Sequence, residues 1–354
     1  MQSHHIAALI LAVPCLAQQS AVSKPPSHDQ EMVIPSNVTE VIAPTTVRWR
    51  NRDIIRGLQL QDFELYDNKK LQEITADLSD EPISLVVAVQ TSSYQGDTLR
   101  KVQKIGSLLS DLITGQDGEV AVVGFDHDVQ LMQDFTNEGA KVSLAIKNMR
   151  LGSANHAITD VVIDATRMLQ KRPQTYRRIL LLISERRDRG STIHLREAIE
   201  NAQIANITIY ALDISSFVAL ASQKAHQPPP ALPTTAQHTP AGAALTPTTI
   251  DQNYYNGNYV PAFIDLFQGI KNIFVADELD VLTRLTGGKQ YSLTTNSNLE
   301  KSVQNMSEEV HSQYLLSYVP NNQEEGGFHE IRVVVRRPGA ANHTRLGYWL
   351  PLKP

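Results

Sequence analysis

The chain has 354 residues, of which 42% are hydrophobic and 19% charged. Thirty-two Lys and Arg against 37 Asp and Glu leave a net charge of -5. That balance excludes a protein whose main task is binding nucleic acid, because a phosphate backbone calls for clustered cations. At about 150 residues per domain the length suggests roughly two domains, with ample chain to bury a core without disulfides.

The single cysteine, Cys15, rules out an intrachain disulfide and a cysteine-based zinc site. It sits in an apolar run, residues 6–17, that is too short to span a bilayer as a helix. Followed by Gln18-Gln19-Ser20, the run reads as a secretory signal over residues 1–17, with Cys15-Leu16-Ala17 as a small-residue cleavage site. The flank before it holds His4 and His5 but no Lys or Arg. A lipid-anchored cysteine is the rival reading, and Pro14 fits it poorly because a small residue is expected there. The expectation is a secreted or periplasmic chain of bacterial type. No other stretch reaches about 18 consecutive apolar residues, so no membrane span is expected.

Residues 18–44 are polar, with Pro25, Pro26, Pro35 and Pro44, and read as a mobile arm. Residues 45–50 alternate and read as a strand. A second strand is expected at 63–66, a turn at Asp67-Asn68 and a third strand at 71–74. Three short strands do not make a stable unit alone, so they need partners from elsewhere. Residues 83–89 are almost unbroken apolar, as for a strand buried on both faces. Leu99, Val102, Ile105, Leu109 and Leu112 follow at helical spacing. Strands are expected at 119–125 and 129–135, with Asp126-His127-Asp128 as the turn between them. Ile158, Val161, Val162, Ala165, Met168 and Leu169 mark a helix, and 179–183 a very apolar strand. Leu195, Ile199 and Ala202 mark another helix, and 207–212 another strand. Such alternation predicts an α/β fold with a mostly parallel sheet and helices on both faces.

A Pro-rich insertion, residues 224–262, interrupts the pattern with Pro228-Pro229-Pro230, Pro233, Pro240 and Pro247, then a polar tyrosine-rich stretch. A short helix is expected within 263–274. Leu279, Leu282 and Leu285 predict a helix stopped by Gly287-Gly288. A short strand at 290–293 and a helix carrying Leu299, Val303, Met306 and Val310 come next. Strands at 314–319, 331–335 and 346–350 are the natural partners of the early orphans. The expected organisation is a central domain at 79–313 between the two parts, 45–78 and 314–354, of one small flanking β-unit.

This order of elements, with a strand running into Val89-Gln90-Thr91-Ser92-Ser93-Tyr94, resembles the von Willebrand factor type A domain. It is similar most of all to the von Willebrand A-related family expanded in Acidobacteria. The residues that carry the resemblance are Gly57-Leu58, Asp62-Phe63-Glu64-Leu65-Tyr66, Gln72-Glu73-Ile74, Phe135-Thr136, Thr286-Gly287-Gly288, Tyr314-Leu315-Leu316-Ser317-Tyr318-Val319-Pro320 and Arg345-Leu346-Gly347-Tyr348. Their order and spacing cover about residues 45–350.

The resemblance implies a Rossmann-like fold and a divalent-cation site built from three loops at the carboxyl ends of the strands. The first loop of such a site reads Asp-x-Ser-x-Ser, and the matching positions here are Gln90, Ser92 and Tyr94. The second gives a threonine, matched by His156, or by Thr159 if the register moves by a turn. The third gives an aspartate, matched by Glu185 after Ser184. One carboxylate remains of two, and Mg²⁺ demands tight oxygen geometry. The expectation is therefore a degenerate site with no metal and no cofactor. Its rim of Gln90, Ser92, Tyr94, His156 and Glu185, with Arg186 and Arg187, then binds a protein partner. The chain is expected to be non-catalytic. The alternative is Mg²⁺-dependent adhesion through the remaining ligands, Ser92 and Glu185. A third reading is an enzyme using Glu185 and His156 as an acid–base pair, which no nucleophile or cofactor motif accompanies.

Other patterns read as structural. Asp126-His127-Asp128 fits a tight turn, and His194 with Glu197 a solvated helix start. Thr286-Gly287-Gly288-Lys289 lacks the upstream glycine and the following Ser or Thr of a phosphate loop. Arg177-Arg178 and Arg186-Arg187-Asp188-Arg189 read as solvated strand ends. Asn37, Asn206, Asn305 and Asn342 match the glycosylation pattern, which carries little weight in a bacterial chain.

Overall fold

The computed structural model describes residues 40–51, 53–92, 96–104, 106–109, 113–115, 117–216, 277–293 and 299–350. The expected signal, residues 18–39 of the expected arm, Tyr94, the Pro-rich insertion and the helix expected in 263–274 lie outside the described residues.

In chain order the strands are β1 (Val41–Trp49), β2 (Phe63–Asp67), β3 (Lys70–Gln72), β4 (Ile74–Asp77), β5 (Ile83–Gln90), β6 (Glu119–Phe125), β7 (Val129–Thr136), β8 (Arg177–Ser184), β9 (Ile207–Asp213), β10 (Gln290–Ser292), β11 (Tyr314–Tyr318), β12 (Gly327–Val335), β13 (Ala340–Thr344) and β14 (Gly347–Leu350). The α-helices are α1 (Gly96–Lys104), α2 (Gly106–Leu109), α3 (Gly139–Lys147), α4 (Ile158–Gln170), α5 (Leu195–Ile204), α6 (Glu278–Thr286) and α7 (Leu299–Val310).

The central sheet has the order β10-β9-β8-β5-β6-β7. All its pairs are parallel except β6 with the edge strand β7. Every residue of β5 is buried, which is what its unbroken apolar sequence requires of a strand covered on both faces. Leu85, Val87 and Val89 join one core with side chains of α1, α3 and α7. Val86 and Ala88 join the opposite core with α4, α5 and α6. The alternation is the two-residue period of a strand made visible as two cores. The chain leaves β5 towards β6 and β7, and leaves β8 towards β9 and β10. The strand order therefore reverses between β5 and β8, and the loops after them part to form a crevice. This is the expected α/β, Rossmann-like class.

The strands from the two chain ends form two four-stranded sheets, β13-β1-β11-β4 and β14-β12-β2-β3. They share a core of Val41, Val47, Phe63, Leu65, Leu316, Tyr318, Ile331 and Val333. The strand expected at 71–74 is in fact two, β3 and β4, which pair in different sheets on either side of exposed Glu73. The expected Asp67-Asn68 turn lies one residue later, at Asn68 and Lys69, both with positive φ (47° and 69°) as a two-residue hairpin turn needs. Strand β13 has no apolar alternation in its sequence. It is an edge strand that β1 recruits through Thr45–Thr344 and Trp49–Ala340 pairing. Strand β1 also starts earlier than expected and takes in Pro44. That proline pairs only towards β11, because β13 pairs from Thr45 onward, so no ladder bond is lost on its other side.

A buried polar network holds the two sheets together. Asp67, fully buried, accepts hydrogen bonds from Tyr318 (2.9 Å) and Tyr348 (2.6 Å) at Oδ2. At Oδ1 it accepts from Asn322 (3.1 Å) and lies 2.7 Å from Nδ1 of buried His329. Buried Arg345 stacks over Tyr348, with Cζ 5.2 Å from the ring centre. Burial pushes the Asp67 carboxyl up, but the bonds from His329, Tyr348 and Asn322 outweigh it and hold the carboxyl below its ordinary value.

Gln203 of α5 ties the flanking sheets to the central domain. Its amide donates to Leu285 O (2.6 Å) and Gly347 O (2.9 Å) and accepts from Trp349 N (3.3 Å). Arg177 corrects its expected place as a solvated strand end. It is buried and donates to Ser79 O (2.9 Å) and to Val310 O (2.8 Å), the last residue of α7, where unpaired carbonyls favour a cation. Thr286-Gly287-Gly288 is structural. Gly287 caps α6 with φ of 85°, and a Cβ on Gly288 would lie 2.0 Å from Ile209 O.

Asp67→Asn is expected to cost about 3–5 kcal/mol in urea unfolding, because it strips a charge from buried donors. Since folding depresses the Asp67 pKa, its contribution is present above the unfolded value near 4 and lost as pH falls further. Unfolding midpoints between neutral and acid pH should therefore fall less steeply in Asp67→Asn than in wild type. Gly288→Ala should cost about 1–3 kcal/mol by overpacking against β9, read from the thermal midpoint.

Candidate functional site

The crevice between β5 and β8 brings together Gln90, Ser92 and Glu185 of the residues expected there. Gln90 ends β5, Ser184 ends β8, and Glu185 follows it. The Gln90 amide is saturated. Its oxygen accepts from Ser184 Oγ (2.8 Å) and Glu185 N (2.7 Å). Its nitrogen donates to Ser92 Oγ (2.8 Å) and Glu185 Oε1 (3.1 Å). Two donors and two acceptors exhaust the capacity of an amide nitrogen and the in-plane lone pairs of its oxygen. The nitrogen thus joins the same two groups, Ser92 and Glu185, that the resemblance leaves as potential cation ligands.

The backbone around them is firmly held. Thr91 N donates to Phe125 O (2.8 Å), and Gly152 N to Thr91 O (2.7 Å). Asp126 accepts from Asp128 N (2.9 Å) and from Ser153 N, and Ala157 N donates to Asp126 O (2.8 Å). Asp126-His127-Asp128 is accordingly a turn that also anchors the second loop. Asp188 of the third loop accepts from Gly190 N, Ser191 N and Thr159 N, the last at 3.0 Å, and so caps the start of α4. Asp160 accepts from Ile193 N at 2.9 Å. Sequence reading missed the bonds from Asp188 to Thr159 and from Asp160 to Ile193, because these partners lie about 30 residues away. Asp188-Arg189-Gly190-Ser191, a turn pattern, was the only local signal.

His156 departs from its expected place on the rim. It is 1% exposed, its Nε2 meets Arg187 O at 2.6 Å, and its Nδ1 has no hydrogen-bond partner. Burial depresses its pKa against the opposing pull of Glu185. The ring therefore braces the third loop and makes no hydrogen bond to Glu185. Thr159 is also buried, its hydroxyl donating to Ile193 O (2.7 Å). Gln90 and Ser92 lie beneath the surface as well, each 1% exposed. Among the described residues the outer rim is made of partly exposed Glu185, exposed Arg187 and Arg189, and the exposed loop 151–155 with Leu151 at its start. Arg186 is half committed inward, donating to Asp213 Oδ2 (2.6 Å) and Ser292 Oγ (3.3 Å). His194 is exposed at the start of α5, as a solvated helix start should be.

Glu278, at the first turn of α6, was not anticipated. Burial, reinforced by Asp188 and Asp277, pushes its carboxyl up to about 7. Among the described residues no group of three or more His, Cys, Asp or Glu is placed to hold a metal ion. No helix among them is long and apolar enough to cross a membrane.

No family model and no curated protein matches the sequence. Solved structures similar to the chain include BatB, a conserved hypothetical protein from Bacteroides thetaiotaomicron. It is 14% identical, with 64% of this chain and 97% of that one covered and a TM-score of 0.39. The SpRpn10 VWA domain is 9% identical, with 63% and 94% covered and a TM-score of 0.36. The vWF domain of the type V pili tip protein Mfa5 from Porphyromonas gingivalis is 16% identical, with 30% and 39% covered and a TM-score of 0.28. These superpositions are too loose to bear on function. The α/β, Rossmann-like class of the central domain is carried by its own strand order and helix placement.

Gln90→Ala should cost about 1–3 kcal/mol in chemical unfolding, since it leaves buried Ser184 and Ser92 hydroxyls short of partners. Because folding raises the Glu278 pKa above its unfolded value, its ionisation costs stability as pH rises from about 4.5 to about 7. Glu278→Gln should therefore raise the thermal midpoint at pH 8 and leave it nearly unchanged at pH 4.

Proposed function

We propose that the chain is a non-catalytic, secreted or envelope protein whose von Willebrand A-like domain binds a protein partner through the strand-end loops without a metal ion. The narrower kinship with the acidobacterial von Willebrand A-related family belongs to the same reading, on the motifs quoted above. One observation carries it: the Gln90 amide nitrogen bonds both Ser92 and Glu185, so a neutral donor occupies the place where a cation would have to be shared. A cation there would have to displace two hydrogen bonds and gain a single carboxylate, which suits Mg²⁺ poorly. The apolar run at residues 6–17 supports export.

The contact surface in this reading is the outer rim. Leu151 is 46% exposed, and Arg187 and Arg189 of the third loop are exposed as well. An exposed apolar residue together with exposed arginines suits a partner with an acidic, partly apolar face. Catalysis by Glu185 and His156 is disfavoured because the buried imidazole is spent on Arg187 O and meets no solvent.

The test is capture of partners from envelope extract with and without chelator. Retention of the same partner in chelator, and its loss with a Leu151→Asp, Arg187→Glu double variant that remains folded, is the expected result. Loss on chelation alone would overturn the metal-free reading. The competing one, cation-dependent adhesion through Ser92 and Glu185, predicts heat and a thermal shift with millimolar Mg²⁺ or Mn²⁺. Neither is expected for the wild type. Gln90→Glu, which sets a carboxylate against Glu185, should lose about 3 kcal/mol at neutral pH and regain part of it with acid or Mg²⁺.

A further inference from the structure

Beside the edge strand β10, where β1 and β13 approach α6 and α7, lies a cavity of about 520 Å³. That is within the usual size of small-molecule sites. Its polar lining comes from separate parts of the chain: Thr46 and Arg48 on β1, Arg284 on α6, Lys289 before β10, Glu309 on α7 and His343 on β13.

The charges are arranged in depth. Glu309, 2% exposed, accepts from Arg48 Nη2 (3.1 Å), Lys289 Nζ (3.1 Å) and the Tyr291 hydroxyl (3.2 Å). The two cations it holds keep 31% and 45% of their side-chain surface in solvent. Arg284, 35% exposed, lies 3.5 Å from Asp280. Among the described residues Arg48, Arg284 and Lys289 thus line the cavity with Asp280 and Glu309, and buried Glu309 positions two of the three cations from below. His343 adds an imidazole whose Nε2 lies 3.3 Å from Gly288 O. Thr46 is 2% exposed, yet its hydroxyl has no hydrogen-bond partner. A buried hydroxyl left unpaired carries its full desolvation cost, so it calls for a missing partner.

We propose that this cavity binds a small ligand bearing an oxyanion, phosphate or carboxylate, through Arg48, Arg284 and Lys289, with the Thr46 hydroxyl as a further donor. Guanidinium forks match the oxygens of such groups, and Glu309 orders Arg48 and Lys289 before the ligand arrives, which lowers the entropy lost on binding. The volume exceeds that of a bare anion, so the ligand carries a body beside its charged group. The site depends on neither the crevice nor the partner proposed for it.

Calorimetric titration of the full chain with inorganic phosphate, and separately with acetate, at ionic strength held constant with sodium chloride, tests the proposal. Saturable binding of at least one anion is expected, and the two arms tell phosphate from carboxylate ligands. Arg284→Gln should weaken it about tenfold, while Arg332→Gln, stacked on Tyr66 in a flanking sheet, should leave it unchanged. Thr46→Val separates a binding role from a packing one. It should weaken the anion several-fold while leaving the thermal midpoint of the free protein equal or higher, since an unpaired buried hydroxyl is removed. Absence of saturable binding of either anion at millimolar concentration overturns the proposal. Wild-type affinity in folded Arg284→Gln does so too, and if that variant fails to fold, wild-type affinity in Thr46→Val does the same.

Discussion

A carboxylate sealed inside a β-sandwich has to be met by donors on every side, and the flanking unit is organised around that demand. Asp67 closes β2, while its partners Tyr318, Asn322, His329 and Tyr348 come from the last forty residues of described chain. No segment can satisfy Asp67 until the chain has passed through the whole central domain and returned. The charge is costly to bury and costly to leave half-satisfied, so it selects one arrangement of the two chain ends. Gln203 then fixes that arrangement to the central domain by bonding β14 and the end of α6 at once.

Many of the short motifs that carry the von Willebrand A-related resemblance converge on this framework. Tyr318, Arg345 and Tyr348 belong to the network, and Tyr314 clasps the loop before β2 by bonding Ile55 O and Leu58 N, each at 3.0 Å. Thr286 bonds Ile209 N at 3.0 Å, and Gly288 lets the chain pass against β9. Those motifs describe how the flanking sheets lock onto the central domain. In the crevice the Gln90 amide holds the strand ends together by hydrogen bonds to uncharged groups and one carboxylate, so cohesion there rests on short-range geometry.

The central elements were legible because their physics is local. A strand covered on both faces must be apolar throughout, as β5 and β8 are, and a helix covering a sheet must carry a stripe, as α4 does. The convergence of Gln90, Ser92 and Glu185 was legible too, because strand ends at a reversal of strand order face one crevice. What escaped had no local signature. β13 is Ala-Ala-Asn-His-Thr and becomes a strand only because β1 offers an open edge. His156 looked like a surface ligand, but burial turned its ring towards a backbone carbonyl 31 positions away. Arg177 looked like a solvated strand end and is instead consumed by carbonyls of two remote segments.

The amino-acid sequence by itself determined the alternation of strands and helices, the parallel central sheet, the pairing of early with late strands and the amide, not a carboxylate, at the end of β5. These follow from hydrophobic period, turn chemistry and residue identity, all of which act over a few positions. The division of the flanking strands into two sheets, the sealing of Asp67, the closure of Gln90 onto Ser92 and Glu185, and the cavity over Glu309 were decided by tertiary structure alone. Each depends on which polar atoms lose water together, and that is set by packing between segments far apart in the chain.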